Sequence, residues 1–174
     1  MDIPLASIKK LREITSASIL HCKQALQEAE GDIDKALEIL RKQGLEIARE
    51  KQEESTGEGR IEAYVHHNNK VGVLIEVNCQ TDFVARNAEF SQLVKDLAMQ
   101  IAATDPLYIK KEDVPKEVIK KEKDKESFYK ERCLLEQVFI KDPSITIKDY
   151  LASLISKFGE NIVIKRFVRY KLGR

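Results

Sequence analysis

Apolar positions along this chain change their spacing several times, and each change marks an element. In the first segment the spacing is helical and the stripes are short. Leu5, Ile8 and Leu11 share one side of a first helix. Thr15-Ser16-Ala17-Ser18 breaks it and caps a second, in which Cys22, Ala25, Leu26 and Ala29 lie on one face. Gly31-Asp32 stops that helix and starts a third, striped by Ile33, Ala36, Leu37 and Leu40. Gly44 is expected to end it, with residues 45–51 as a further charged turn. Stripes this short must close on one another as a compact three-helix bundle. Leu20 breaks the pattern, because it stacks with Gln24 and Gln27 away from the core, with Ile19 at the stripe's edge. A lone exposed leucine is ordinary, but Ile19 and Leu20 with nearby Arg12 also offer a small contact surface.

Glu53 to Gly59 is polar and glycine-punctuated and reads as a linker. Residues 61–67 and 71–79 then alternate as two strands joined at Asn68-Asn69-Lys70, a hairpin turn that suits asparagine. Val71, Val73, Ile75, Val77 and Cys79 fall on one face. His66 and His67, at the tip, are read as pointing to opposite strand faces and as solvated. A helical stripe comes next, in Phe90, Leu93, Val94, Leu97, Ala98 and Ile101. Between strand and helix sits Gln80-Thr81-Asp82-Phe83-Val84. One reading makes Thr81 or Asp82 a helix cap and Phe83 a core plug. The other has a rigid strand and helix holding up a carboxylate and a ring for use on a partner.

Thr104-Asp105-Pro106 stops that helix, and residues 115–125 form a solvated helix or arm rich in lysine and glutamate. Residues 128–140 read as helical through Leu135, Val138 and Phe139, ended by Asp142-Pro143-Ser144. Ile147, Tyr150, Leu151, Leu154, Ile155 and Phe158 give another helix, and residues 162–171 a last strand. The expected class is α+β: an N-terminal three-helix module at 1–52, a linker at 53–59, and a domain at 60–174 with a small antiparallel sheet and helices packed on one face.

Composition narrows the function. Of 174 residues, 34% are charged and 43% hydrophobic, as in a soluble globular protein. A formal net charge of +1, from 30 basic and 29 acidic side chains, argues against wrapping nucleic acid. No apolar run approaches the roughly 20 residues of a membrane span, and Met1-Asp2-Ile3-Pro4 is not a signal peptide. Cys22, Cys79 and Cys133 lack metal-type spacing and are expected to be reduced thiols in a cytoplasmic protein.

Catalytic chemistry is missing from the pattern. There is no glycine-rich phosphate loop and no histidine pair with metal spacing. Cys79 falls in the inward set of its strand, where a thiol is inert. The residues alone therefore leave a soluble α+β binding protein with a helical module, with no enzyme activity, cofactor or metal expected. A non-catalytic adaptor, gripping a peptide or nascent chain through the helical module, is one such protein.

The run from Leu74 to Asn87, with Glu76-Val77-Asn78-Cys79-Gln80-Thr81-Asp82-Phe83-Val84 at its centre, resembles the signature of elongation factor Ts. Leu11-Arg12, Thr15, Ala17, Cys22-Lys23 and Ala25-Leu26 are similar in spacing to that family's ubiquitin-associated-like (UBA-like) module. Leu134-Leu135-Glu136-Gln137 followed by Lys141-Asp142-Pro143 is a third match. Three ordered motifs span nearly the whole chain. Ser16 and Ser18 stand where the family often has glycine, Ile19-Leu20 where methionines are common, and Gln80 where glutamate is frequent. With one core half and no projecting coiled coil, the chain resembles the short form of the family, which is expected to be a homodimer.

The resemblance implies a cytoplasmic guanine nucleotide exchange factor for elongation factor Tu, in its GDP-bound and nucleotide-free forms. Arg12, Ile19 and Leu20 would dock the helical module on that partner. Thr81, Asp82, Phe83 and Val84 would enter beside its magnesium and phosphate site, Phe83 as an apolar wedge and Asp82 disturbing the groups that hold Mg²⁺. Neither nucleic acid nor membrane is implied as a partner.

Overall fold

The computed structural model describes residues 3–15 and 17–173. Ser16, expected among the capping residues, and Met1 and Asp2, from the start that does not read as a signal peptide, lie outside the described residues. The class is α+β, and the chain divides into two compact units, residues 1–54 with 151–161 and residues 55–150 with 162–174.

The first unit opens with α1 (Leu5–Thr15), α2 (Ile19–Glu28) and α3 (Ile33–Lys51). Ser18 caps α2 by accepting the His21 amide at 3.1 Å, and Asp32 caps α3 by accepting the amides of Asp34 and Lys35. The core is built from Ile8, Leu11, Cys22, Ala25, Leu26, Ala29 and Ala36. Its many alanines let short helices approach closely. Leu5 departs from the expected stripe and is exposed. It occupies the first turn of α1, one turn before the buried pair Ile8 and Leu11.

Gly44 does not end α3, which continues unbroken to Lys51. The glycine is buried against the Ala152 backbone of α8 (Ile147–Phe158). Packing there outweighs the ~1 kcal/mol helix penalty of a glycine. Beyond the end of α3, the buried Asn161 amide donates to the carbonyls of Gln52 and Glu54 at 3.3 and 2.8 Å.

The second unit is organised on β1 (Glu58–Val65), β2 (Val71–Cys79) and β5 (Val163–Lys171), an antiparallel sheet in the order β1-β2-β5. Strand β1 starts three residues earlier than its alternation suggested. Gly59 makes that possible, since at φ +152° a Cβ there would run into the Val77 carbonyl. One face of β2 buries Val73, Ile75, Val77 and Cys79. Helix α5 (Ala88–Thr104) covers that face with Phe90, Leu93, Val94, Leu97, Ala98 and Ile101, all fully buried. The guanidinium of Arg169 on β5 closes the helix's C-terminus, donating to Ala102 O and to Asp105 Oδ1 at 3.0 Å.

His66 and His67 lie in the turn rather than on a strand, so the opposite-face argument fails: their ring centroids are 4.2 Å apart. The larger departure is at 128–140. Helix α7 (Lys125–Arg132) stops at Cys133, and β3 (Val138–Phe139) pairs antiparallel with β4 (Asp142–Thr146). From Gln137 to Ile140 buried and exposed residues alternate, which is the period of a strand. Between α5 and α7 the arm carries a 3₁₀ turn (Lys111–Asp113) and one short α-helix, α6 (Lys116–Ile119).

Candidate functional site

Strand β2 is the central strand of its sheet, and the turn at its C-terminal end inherits its rigidity. The chain leaves Cys79 through Gln80 into a single helical turn, α4 (Asp82–Ala85). Thr81 is extended, at φ −124° and ψ 154°, and its hydroxyl accepts the Val84 amide at 3.4 Å. The Cys79 thiol donates to the Thr81 carbonyl at 3.2 Å, tying the turn back to the strand. Asn87 then caps α5 by accepting the Glu89 amide at 2.8 Å. Two successive caps thus fix a short turn between the sheet and a buried helix.

The four residues expected at this site come together with divided roles. Thr81 is the cap. Val84 departs from the expectation of a contact residue: it is buried and anchors the turn from below. Phe83 is not a core plug, being 84% exposed. Asp82, in the first turn, keeps its carboxylate 43% exposed and pairs with Arg86 Nη2 at 3.1 Å. An exposed pair of this kind is a weak tether. The turn therefore presents an acid and a phenyl ring side by side on a fixed base.

In the first unit, Arg12 is exposed in the last turn of α1. Ile19 and Leu20 open α2 and are 56% and 62% exposed, while Cys22 beneath them is sealed. Apolar side chains in a first turn gain nothing from water, so this pair is a candidate contact. Among the described residues no group of three or more His, Cys, Asp or Glu could hold a metal ion, and no helix is long and apolar enough to cross a membrane.

The sequence model of the elongation factor TS family matches residues 4–127 and 124–174. The chain belongs to the elongation factor Ts family. It is 50% identical to elongation factor Ts of Thermotoga maritima, over 99% of this chain and 98% of that protein. Identity is 48% to elongation factor Ts of Caldanaerobacter subterraneus subsp. tengcongensis, over 98% and 97%, and 46% to that of Thermodesulfovibrio yellowstonii, over 100% and 98%. The alignment with the Thermotoga protein runs to 194 positions against 174 residues here, so at least 20 positions of that elongation factor Ts have no counterpart. The second part of the family match begins at residue 124, one residue before α7.

Two features of the structure lie outside what the sequence pattern predicts. One is the β3–β4 hairpin, signalled only by alternation over four residues and by Asp142-Pro143. The other is a polar stripe on α5, Gln92, Asp96, Gln100 and Thr104, spaced four apart inside an otherwise apolar helix. Its regularity was visible in the sequence, but its partners are 33 to 54 residues away.

Proposed function

We propose that this chain is a guanine nucleotide exchange factor in translation elongation, binding elongation factor Tu·GDP and promoting GDP release. The observation that carries the reading is the Thr81–Val84 turn, with Phe83 84% exposed above a buried Val84, in a member of this family. A phenyl ring held in water on a rigid base lowers its free energy when it enters an apolar slot. Burying it is worth roughly 2–3 kcal/mol, enough to change an equilibrium by roughly 30- to 150-fold. Phe83 acts as a wedge between elements of the partner, and Asp82 disturbs the groups that hold its Mg²⁺. Since that ion bridges protein and phosphates, weakening its ligation weakens GDP. Exchange is a linkage effect: GDP loosens the factor by the factor that the factor loosens GDP.

Arg12, Ile19 and Leu20 dock the helical module, read as UBA-like over residues 1–52. The expected 53–59 linker to the 60–174 core acts as one over 53–57, since Glu58 and Gly59 are the first residues of β1. The protein works in the cytoplasm as a homodimer. Support for a second copy comes from the outer face of the sheet. Cross-strand rows there run Val65–Gly72–Tyr170, Ala63–Leu74–Val168 and Ile61–Glu76–Arg166. Five of these side chains, Ile61, Val65, Leu74, Val168 and Tyr170, are large, apolar and exposed, and contiguous apolar faces mark contact surfaces. Glu76 and Arg166, paired at 2.7 Å, border the patch.

Stopped-flow release of fluorescent GDP from elongation factor Tu tests the reading. The wild-type chain is expected to accelerate release, and Asp82→Ala with Phe83→Ala to abolish most of that acceleration. Unchanged acceleration in the double variant would exclude the wedge.

A further inference from the structure

Helix α5 has two long faces. The apolar one lies on β1 and β2. The other carries the stripe Gln92, Asp96, Gln100 and Thr104, and grips the β3–β4 hairpin and the start of α8. Gln100 is completely buried. Its Oε1 accepts the Ile140 amide at 3.0 Å, and its Nε2 donates to the Val138 carbonyl at 3.1 Å and to Gln137 Oε1 at 3.2 Å. The Thr104 hydroxyl lies 2.7 Å from the same Gln137 oxygen. The carboxylate of Asp96, also buried, accepts from Lys141 Nζ at 2.6 Å, Gln92 Nε2 at 2.7 Å and the Tyr150 hydroxyl at 3.2 Å. Tyr150 stacks on Phe139 with ring centroids 4.7 Å apart. Burial, and next the Asp96 charge, raise its ionisation well above that of free tyrosine.

A polar grip centred on the buried Asp96, Gln100 and Gln137 is an unusual choice for holding a hairpin to a helix. Apolar side chains would do it with less desolvation and comparable stability. What they cannot do is fix the position along the helix, because apolar contact is non-directional and hydrogen bonds are directional. The stripe therefore sets where α5 sits along its own axis. Phe83 and its turn continue directly into the N-terminus of α5, through Asn87. Strand β2, on the other side of the turn, is held from both sides by β1 and β5.

We propose that the polar stripe of α5 braces the nucleotide-displacing turn, so that Asp96 and Gln100 are positioning residues for Phe83. This inference rests on the exchange reading. When a wedge is driven into a partner, the available binding energy distorts whichever body yields first. Clamped by the sheet on one side and by the hairpin's directional bonds on the other, α5 cannot slide back, and the strain goes into the partner's nucleotide site. A brace of this kind acts on the loaded complex rather than on first contact. Its loss lowers the rate at saturation and leaves the concentration dependence in place.

The test measures fluorescent-GDP release from elongation factor Tu against factor concentration, with the full chain. Gln100→Met keeps the volume and removes the hydrogen bonds. Lys141→Met removes the cationic donor to Asp96 and leaves the Gln92 and Tyr150 hydrogen bonds to that carboxylate in place. Ile119→Ala, on the arm, controls for stability lost elsewhere in the same unit. Gln100→Met is expected to lower the saturating rate by about tenfold and Lys141→Met by about two- to threefold, with half-saturation moved less than twofold. Ile119→Ala stays at the wild-type rate even when its melting temperature falls as far. A wild-type saturating rate in both Met variants overturns the brace, as does a loss confined to half-saturation, or an equal loss in the arm variant. If the wild-type chain itself leaves GDP release unchanged, the exchange reading fails and the brace fails with it. An active wild type with indifferent stripe variants removes the brace alone.

Discussion

Phe83 and Val84 are adjacent in the chain and opposite in the fold: the phenyl ring stands 84% exposed while the valine beside it is buried. Successive residues of a helical turn point about 100° apart, so a single capped turn both anchors and displays. Substitutions at the two positions are therefore expected to fail differently. Phe83→Ala should leave thermal stability within about 0.5 kcal/mol, as at other exposed positions, and cut the acceleration of GDP release by roughly 30- to 150-fold. Val84→Ala should cost about 1–2 kcal/mol of stability through its two lost methyl groups. Thermal melts run beside the stopped-flow assay separate the two effects.

Most of the scaffold around that turn was legible in the sequence. The period-2 run of β2 and the 3.6-period stripe of α5 are strong local signals, and every residue assigned to the α5 stripe is buried. The direction of Phe83 was not legible. An aromatic after a cap is equally a plug or a display, and only the depth of Val84 beneath it decides. The β3–β4 hairpin was missed for a related reason. With β3 only two residues long, Val138 and Phe139 were too few to outweigh the helical pattern of the preceding arm. What holds the hairpin is long-range, from Gln100 and Asp96, and no local window contains both partners.

Gly44 illustrates the opposite error, a strong local signal overruled by packing. It sits inside α3 with helical neighbours on both sides, and a Cβ built on it would meet the Ala152 carbonyl oxygen at 3.6 Å, an ordinary contact. Gly44→Ala is therefore expected to stabilise the protein, by about 0.4–1 kcal/mol, chiefly by restricting the unfolded chain. Denaturant titration checks this, and a loss of stability would mean that α3 and α8 pack more tightly than that distance allows.

Leu74 lies at the centre of the sheet's outer face, flanked across the strands by Ala63 and Val168. A charge there would be desolvated by any copy seated on the face. Leu74→Glu is expected to convert a dimer into a monomer, halving the mass seen by light scattering. The fold should survive, because the leucine is about half exposed in the single chain. If wild type and variant share one mass, the outer face is not where two copies meet.

Cys133 closes α7 and is completely buried. Burial, with the Glu136 and Asp113 charges adding to it, raises its thiol from an ordinary 9.0 to about 11. A raised acid binds its proton more tightly in the folded chain. The stability it contributes is therefore complete below pH 9 and is lost as the pH rises through about 11. Tyr150 titrates with the same sign but still higher, so it adds no loss in the lower part of this window. Cys133→Ala is expected to flatten the stability profile between pH 9 and 10 while leaving the Tyr150 slope above it. Native-state alkylation at neutral pH should spare Cys133, since only the thiolate reacts. Rapid labelling of Cys133 in the folded protein at pH 7 would show that the arm opens far more often than its closed base implies. That base is held by the Leu134 amide on Tyr108 O and the Leu135 amide on Ile109 O, each at 2.9 Å.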